Sequence, residues 1–152
     1  MKISDLFQEK TVFSFEVFPP KKESGVETIY KTLEALKDLN PDFISVTYGA
    51  GGSGVANATT IDLCSKIKNE YHVETIAHLS CLYNTKESVD KILDNLKMQG
   101  VENILALRGD VNPDFEVEKD FKYASDLTEY ILSKNMGFHV SLSLIHISEP
   151  TR

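Results

Sequence analysis

Four short apolar runs in this chain each end on a polar or charged residue, and those ends recur at a nearly constant interval. The runs are Val12-Phe13-Ser14-Phe15-Glu16, Phe43-Ile44-Ser45-Val46-Thr47, Glu74-Thr75-Ile76-Ala77-His78 and Ile104-Leu105-Ala106-Leu107-Arg108. Glu16 to Thr47 and Thr47 to His78 are each 31 positions, and His78 to Arg108 is 30. A period near thirty, with a helical pattern between one run and the next, is the βα unit of a parallel sheet. A (β/α)8 TIM barrel built of such units gathers its catalytic groups at the carboxyl ends of its strands. The repeat thus predicts an α/β fold and places a site on one rim.

The intervals carry the helices. Ser24 to Leu39 sets Val26, Ile29, Leu33 and Leu36 on one stripe, and Asn57 to Tyr71 does so with Ile61, Cys64, Ile67 and Tyr71. Thr85 to Gln99 carries Val89, Ile92, Leu93 and Leu96; Phe121 to Met136 carries Ala124, Leu127, Tyr130 and Ile131. Asn84 with Glu87 reads as a capping box, while Gly100 and Gly137 sit where helices stop. A fifth run, Phe138-His139-Val140-Ser141-Leu142, begins on schedule. A complete barrel needs roughly 250 residues, so these 152 hold about four and a half units.

Composition narrows the class. A net charge of −7 argues against a nucleic-acid surface, and Lys21-Lys22 is a short basic pair expected in a solvated loop. No apolar stretch approaches a membrane span, and the N-terminus lacks the apolar core of a signal peptide. Two cysteines, Cys64 and Cys81, do not make a disulfide framework, so a cytoplasmic location is expected.

Glu16 is the most informative single residue. Strands buried on both faces are near-continuously apolar, and a carboxyl buried there has its pKa raised toward neutrality, as a general acid requires. The structural alternative is an ion pair with a base such as Arg108. Arg108-Gly109-Asp110 has two equal readings: a turn with an internal ion pair, or an anion-binding guanidinium with an acid placed beside a developing cation. His78 is a core histidine or, with Cys81, a weak zinc candidate. Tyr48-Gly49-Ala50-Gly51-Gly52-Ser53-Gly54 formally matches a dinucleotide fingerprint, but the next strand ends on His78, where a ribose-binding acid would stand. It reads instead as flexible backbone over a ligand.

Five segments together resemble the methylenetetrahydrofolate reductases. They are Phe13-Ser14-Phe15-Glu16-Val17-Phe18-Pro19-Pro20, Ser45-Val46-Thr47-Tyr48-Gly49-Ala50, Ala77-His78-Leu79-Ser80-Cys81, Ala106-Leu107-Arg108-Gly109-Asp110 and Tyr123-Ala124-Ser125-Asp126-Leu127. The resemblance covers about residues 10–142. It implies a barrel that binds FAD and reduces 5,10-methylenetetrahydrofolate to 5-methyltetrahydrofolate with NADH or NADPH, within a homo-oligomeric parent. It implies that Glu16 is the general acid and that Thr47 contacts the nicotinamide nucleotide. Tyr48, Ala50, His78, Arg108, Gly109 and Ala124 then fall on flavin contacts, and Asp110, which has a catalytic part, touches both flavin and folate.

Beyond Leu142 the resemblance stops. Residues 143–152, with His146, read as a frameshifted or vector-derived tail on residues 1–142, which implies a chain inactive alone. Rival readings are a non-catalytic barrel fragment and a metal-dependent barrel lyase using Glu16, His78 and Asp110. A Schiff-base aldolase would want a strand-end lysine, and none of the four ends has one.

Overall fold

The computed structural model of the chain describes residues 1–20, 25–48, 54–111 and 116–142. Among these residues five helices alternate with five strands. In chain order they are α1 (Ile3–Glu9), β1 (Ser14–Val17), α2 (Val26–Lys37), β2 (Phe43–Val46) and α3 (Gly54–Asn69). There follow β3 (Glu74–Ser80), α4 (Lys86–Met98), β4 (Asn103–Leu107), α5 (Ala124–Ser133) and β5 (His139–Leu142). The strands form one parallel sheet in the order β1-β2-β3-β4-β5, as the period predicts. This is the α/β arrangement of the first units of a TIM barrel.

Pairing register separates the two faces of the sheet. Val17, Val46, Ala77, Ile104 and Val140 share one row, and Leu79, Ala106 and Leu142 share another on the same face. These rows meet the helices. Val46, Ala77 and Ile104 are buried, and they belong to one apolar cluster with Leu33 of α2, Leu63 and Ile67 of α3, Val89 and Leu93 of α4, and Leu127 and Ile131 of α5. At about 25 cal/mol per Å² of apolar area removed from water, this layer supplies the main drive to fold.

Glu16, Ser45, Ile76, Asn103 and His139 share a row on the opposite face, with His78, Leu105 and Ser141 two residues further along. No helix covers this face among the described residues, save at its lower end. There α1 buries Ile3 and Leu6, and Asn103 Oδ1 accepts from the Ile3 amide at 3.0 Å. Ile76, Leu105 and Leu107 remain partly exposed. In a closed barrel this face is the interior.

Three details depart from the sequence reading. The helix α1 was not anticipated, because seven residues with two buried apolar positions give too little periodicity. The α4 capping box is Thr85 with Ser88, one residue beyond the expected pair. Asn84 is instead turned inward, 1% exposed. Residues 143–152 with His146, the glycine-rich stretch around Ala50, and Lys21-Lys22 lie outside the described residues.

Candidate functional site

β1 and β3 deliver Glu16 and His78 to the same rim, where His78 Nε2 lies 3.6 Å from Glu16 Oε2. Ser45, paired with Glu16 across β1 and β2, places its Oγ 3.4 Å from the same oxygen. Among the described residues the basic side chain beside Glu16 is thus His78, not the Arg108 of the structural alternative. Burial holds the His78 pKa below its usual 6.5, while the negative charge of Glu16 pulls it the other way. Its Nε2 is a buried polar atom without a hydrogen bond among the described residues.

The burial expected of Glu16 is absent. Its side chain is 51% exposed, because among the described residues β1 is an edge strand and nothing covers its inner face at this end.

β3 and β4 remain joined above their strand ends. The Cys81 amide donates to Leu107 O at 3.0 Å and the Leu82 amide to Arg108 O at 3.2 Å. This seam positions Arg108, Gly109 and Asp110. Gly109 has φ +84°, a left-handed conformation that L side chains rarely adopt, and a Cβ there would come within 3.2 Å of Ser80 Cβ. The Arg108 Nε donates to Lys122 O at 3.3 Å, and Tyr83 Oη donates to Asp110 O at 3.2 Å, leaving Asp110 exposed. Arg108 therefore braces the segment that leads into α5, whose first residue, Ala124, is buried.

Thr47 and Tyr48 follow β2. The Thr47 amide donates to Val17 O at 3.0 Å, and Thr60 Oγ1 donates to Thr47 O at 3.1 Å. Asn84 Nδ2 donates to both Tyr48 Oη and Ser80 O at 2.8 Å, while its Oδ1 accepts from Ser88 Oγ at 2.9 Å. Asn84 so ties the β2 and β3 rims together. The sequence reading gave it only a capping role, and Ser45 none. Burial pushes the Cys81 thiol up to about 11, and its Sγ donates to Arg108 O at 3.4 Å. Among the described residues no group of three or more His, Cys, Asp or Glu side chains could hold a metal ion. No helix among them is long and apolar enough to cross a membrane. Open grooves flank α5, near Leu132 and Leu142 and near Lys86 and Asp120, away from the Glu16–His78 pair.

Known proteins are similar to this chain over most of its length. The family model described as Methylenetetrahydrofolate reductase matches residues 2–145. Methylenetetrahydrofolate reductase (NADH) 1 of Arabidopsis thaliana is 40% identical over 131 residues, 84% of this chain and 22% of the relative. Methylenetetrahydrofolate reductase 1 of Schizosaccharomyces pombe is 39% identical over 140 residues, 86% of this chain and 23% of the relative. The 5,10-methylenetetrahydrofolate reductase of Buchnera aphidicola subsp. Acyrthosiphon pisum is 37% identical over 133 residues, 86% of this chain and 43% of the relative. The chain thus spans between about a fifth and under a half of the length of these curated relatives.

Proposed function

We propose a function that proceeds from one premise: this chain belongs to the methylenetetrahydrofolate reductase family. Residues 1–142 form the first half of a catalytic barrel that reduces 5,10-methylenetetrahydrofolate to 5-methyltetrahydrofolate. FAD is the bound cofactor and NADH or NADPH the reductant. The names of the relatives support the folate substrate, and that of the Arabidopsis protein supports NADH. The reading includes a cytoplasmic location, consistent with the two free, buried cysteines, and a homo-oligomeric parent.

The observation that carries the proposal is the Glu16–His78 pair, a carboxyl and an imidazole converging on the rim. The residues present fit a flavin on two counts. The buried Nε2 of His78 makes no hydrogen bond among the described residues, with Glu16 Oε2 at 3.6 Å, and so can accept a polar ligand atom. The absence of a side chain at Gly109 lets a ligand approach the backbone closely. His78, Arg108, Gly109, Tyr48, Ala50 and Ala124 would hold the cofactor, and Thr47 the nicotinamide nucleotide. When bound, the flavin supplies hydride transfer, chemistry that no side chain here provides. Glu16 holds the proton that the substrate nitrogen takes as the methylene bridge opens. Asp110 places negative charge beside the cation that develops.

In a full-length protein carrying these residues, Glu16→Gln stops reduction of the folate while flavin reduction by the nicotinamide continues. Only the folate step needs a donated proton. Rapid mixing of the two half-reactions decides, and equal loss in both rejects the acid role. The uncovered inner face favours a second reading for the 152-residue chain by itself, a scaffold without activity.

A further inference from the structure

Ser45 is the one polar residue of β2, whose other members, Phe43, Ile44 and Val46, are apolar and buried. It is itself 8% exposed, and a hydroxyl so placed requires a partner. Its side chain leaves the sheet on the same face as Glu16, and Glu16 Oε2 stands 3.4 Å from Ser45 Oγ, which donates to it, and 3.6 Å from His78 Nε2, an electrostatic contact without a hydrogen bond. Nothing else among the described residues confines this half-exposed carboxyl. We propose that Ser45 is a positioning residue that holds the Glu16 carboxyl against His78 whether or not the carboxyl carries a proton.

The inference rests on the reading of Glu16 as an acid, and it deepens that reading through the chemistry of the two partners. A general acid gives up its proton and regains it in every turnover, so its neighbours must serve both states. A serine hydroxyl donates to a carboxylate and accepts from a carboxylic acid. A neutral imidazole nitrogen does the same through its two tautomers. Lysine or arginine in either place would only donate, and would fix the ionised form. Burial keeps the His78 ring on the neutral side, as this arrangement needs. Among the described residues, Glu16 is the charge acting on that ring, and its neighbours in the sheet on the β4 side, Leu105 and Ala106, carry none.

The test uses the 152-residue chain and needs no cofactor. NMR follows the His78 ring through a pH titration in the wild type and in Glu16→Gln, Ser45→Ala and Ser45→Thr. Glu16→Gln removes the charge, so His78 titrates at lower pH. Ser45→Ala is expected to shift the midpoint in the same direction by a smaller amount, because the carboxylate is no longer held. Ser45→Thr keeps the hydroxyl and restores the wild-type midpoint. If Ser45 were present only for its small size, alanine would leave the midpoint alone and threonine would move it. That ranking overturns the proposal, as does a midpoint unmoved by Ser45→Ala when Glu16→Gln shifts it. Should Ser45→Ala fail to give a dispersed amide spectrum, Ser45→Cys replaces it, and its weak thiol donor must shift His78 the same way. The acid reading fails separately, on the half-reactions of the full-length Glu16→Gln protein.

Discussion

His78 and Gly109 are the residues whose local physics gives the clearest predictions. The folded His78 binds its proton less readily than the unfolded ring, so below pH 6.5 the unfolded chain holds the extra proton. The contribution of His78 to stability is therefore fully present above 6.5 and is lost as pH falls through its lowered folded value. Denaturant unfolding at about pH 7.5 and about pH 5.5 should show the loss, and His78→Gln should flatten that part of the profile. A slope that His78→Gln leaves unchanged assigns it to another group. Gly109→Ala forces a Cβ into a left-handed backbone and against Ser80, and should cost about 1–2 kcal/mol by chemical denaturation. Glu16 and His78 were legible in the sequence because each is an ionisable residue at the end of an apolar run. Ser45 was not, since a serine inside a strand looks the same whether it fills space or holds a carboxyl. The exposure of Glu16 was illegible for a different reason. The strand pattern reports what a covered sheet requires, not which of its faces this chain covers.

At the scale of elements, the turns after α2, α3, α4 and α5 share a device. Asn40 follows α2, His72 follows α3, Gly100 follows α4, and Asn135 and Gly137 follow α5, all with positive φ. A left-handed residue ends the helix and turns the chain back toward the sheet. The sequence showed this at the two glycines, because glycine advertises the conformation. It hid the same turn at Asn40, His72 and Asn135, where a side chain is tolerated at a cost. His72 is the costliest of these types, so His72→Gly should raise stability by up to about 1 kcal/mol, after the added freedom of the unfolded chain is deducted. A thermal or denaturant midpoint no higher than wild type would count against the account. At the other helix ends, Thr85 Oγ1 accepts the Ser88 amide at 3.1 Å, so Thr85→Ala should destabilise the chain by about 1 kcal/mol. The four longer helices were legible because each buries an apolar stripe, and their ends moved inward by one to three residues at most of the described termini. Local capping chemistry, not the stripe, sets those ends.

For the whole molecule, the sheet has two unpaired edges among the described residues, β1 and β5, and an inner face that, among those residues, α1 covers only at its lower end. Both edges carry exposed apolar side chains nearby, Phe13 at 49% and Phe18 at 67% beside β1, and Leu142 at 40% in β5. Such edges invite pairing with another chain. We expect the chain alone to self-associate as its concentration rises and not to bind FAD stoichiometrically. A flavin held by half of a rim forgoes the contacts of the other half, and at about 1 kcal/mol or more for each lost contact the affinity falls by orders of magnitude. Sedimentation monitored at both protein and flavin absorbance checks both statements together, and a yellow monodisperse species would contradict them. The strand order has a further consequence, for synthesis. Each strand pairs with the one made just before it, about thirty residues earlier. A ribosome adding ~5–20 residues per second releases one such unit every few seconds, whereas helices and loops close within microseconds. Each new strand can therefore dock on a template already in place, and the sheet lengthens at a single advancing edge while the polypeptide is still being translated.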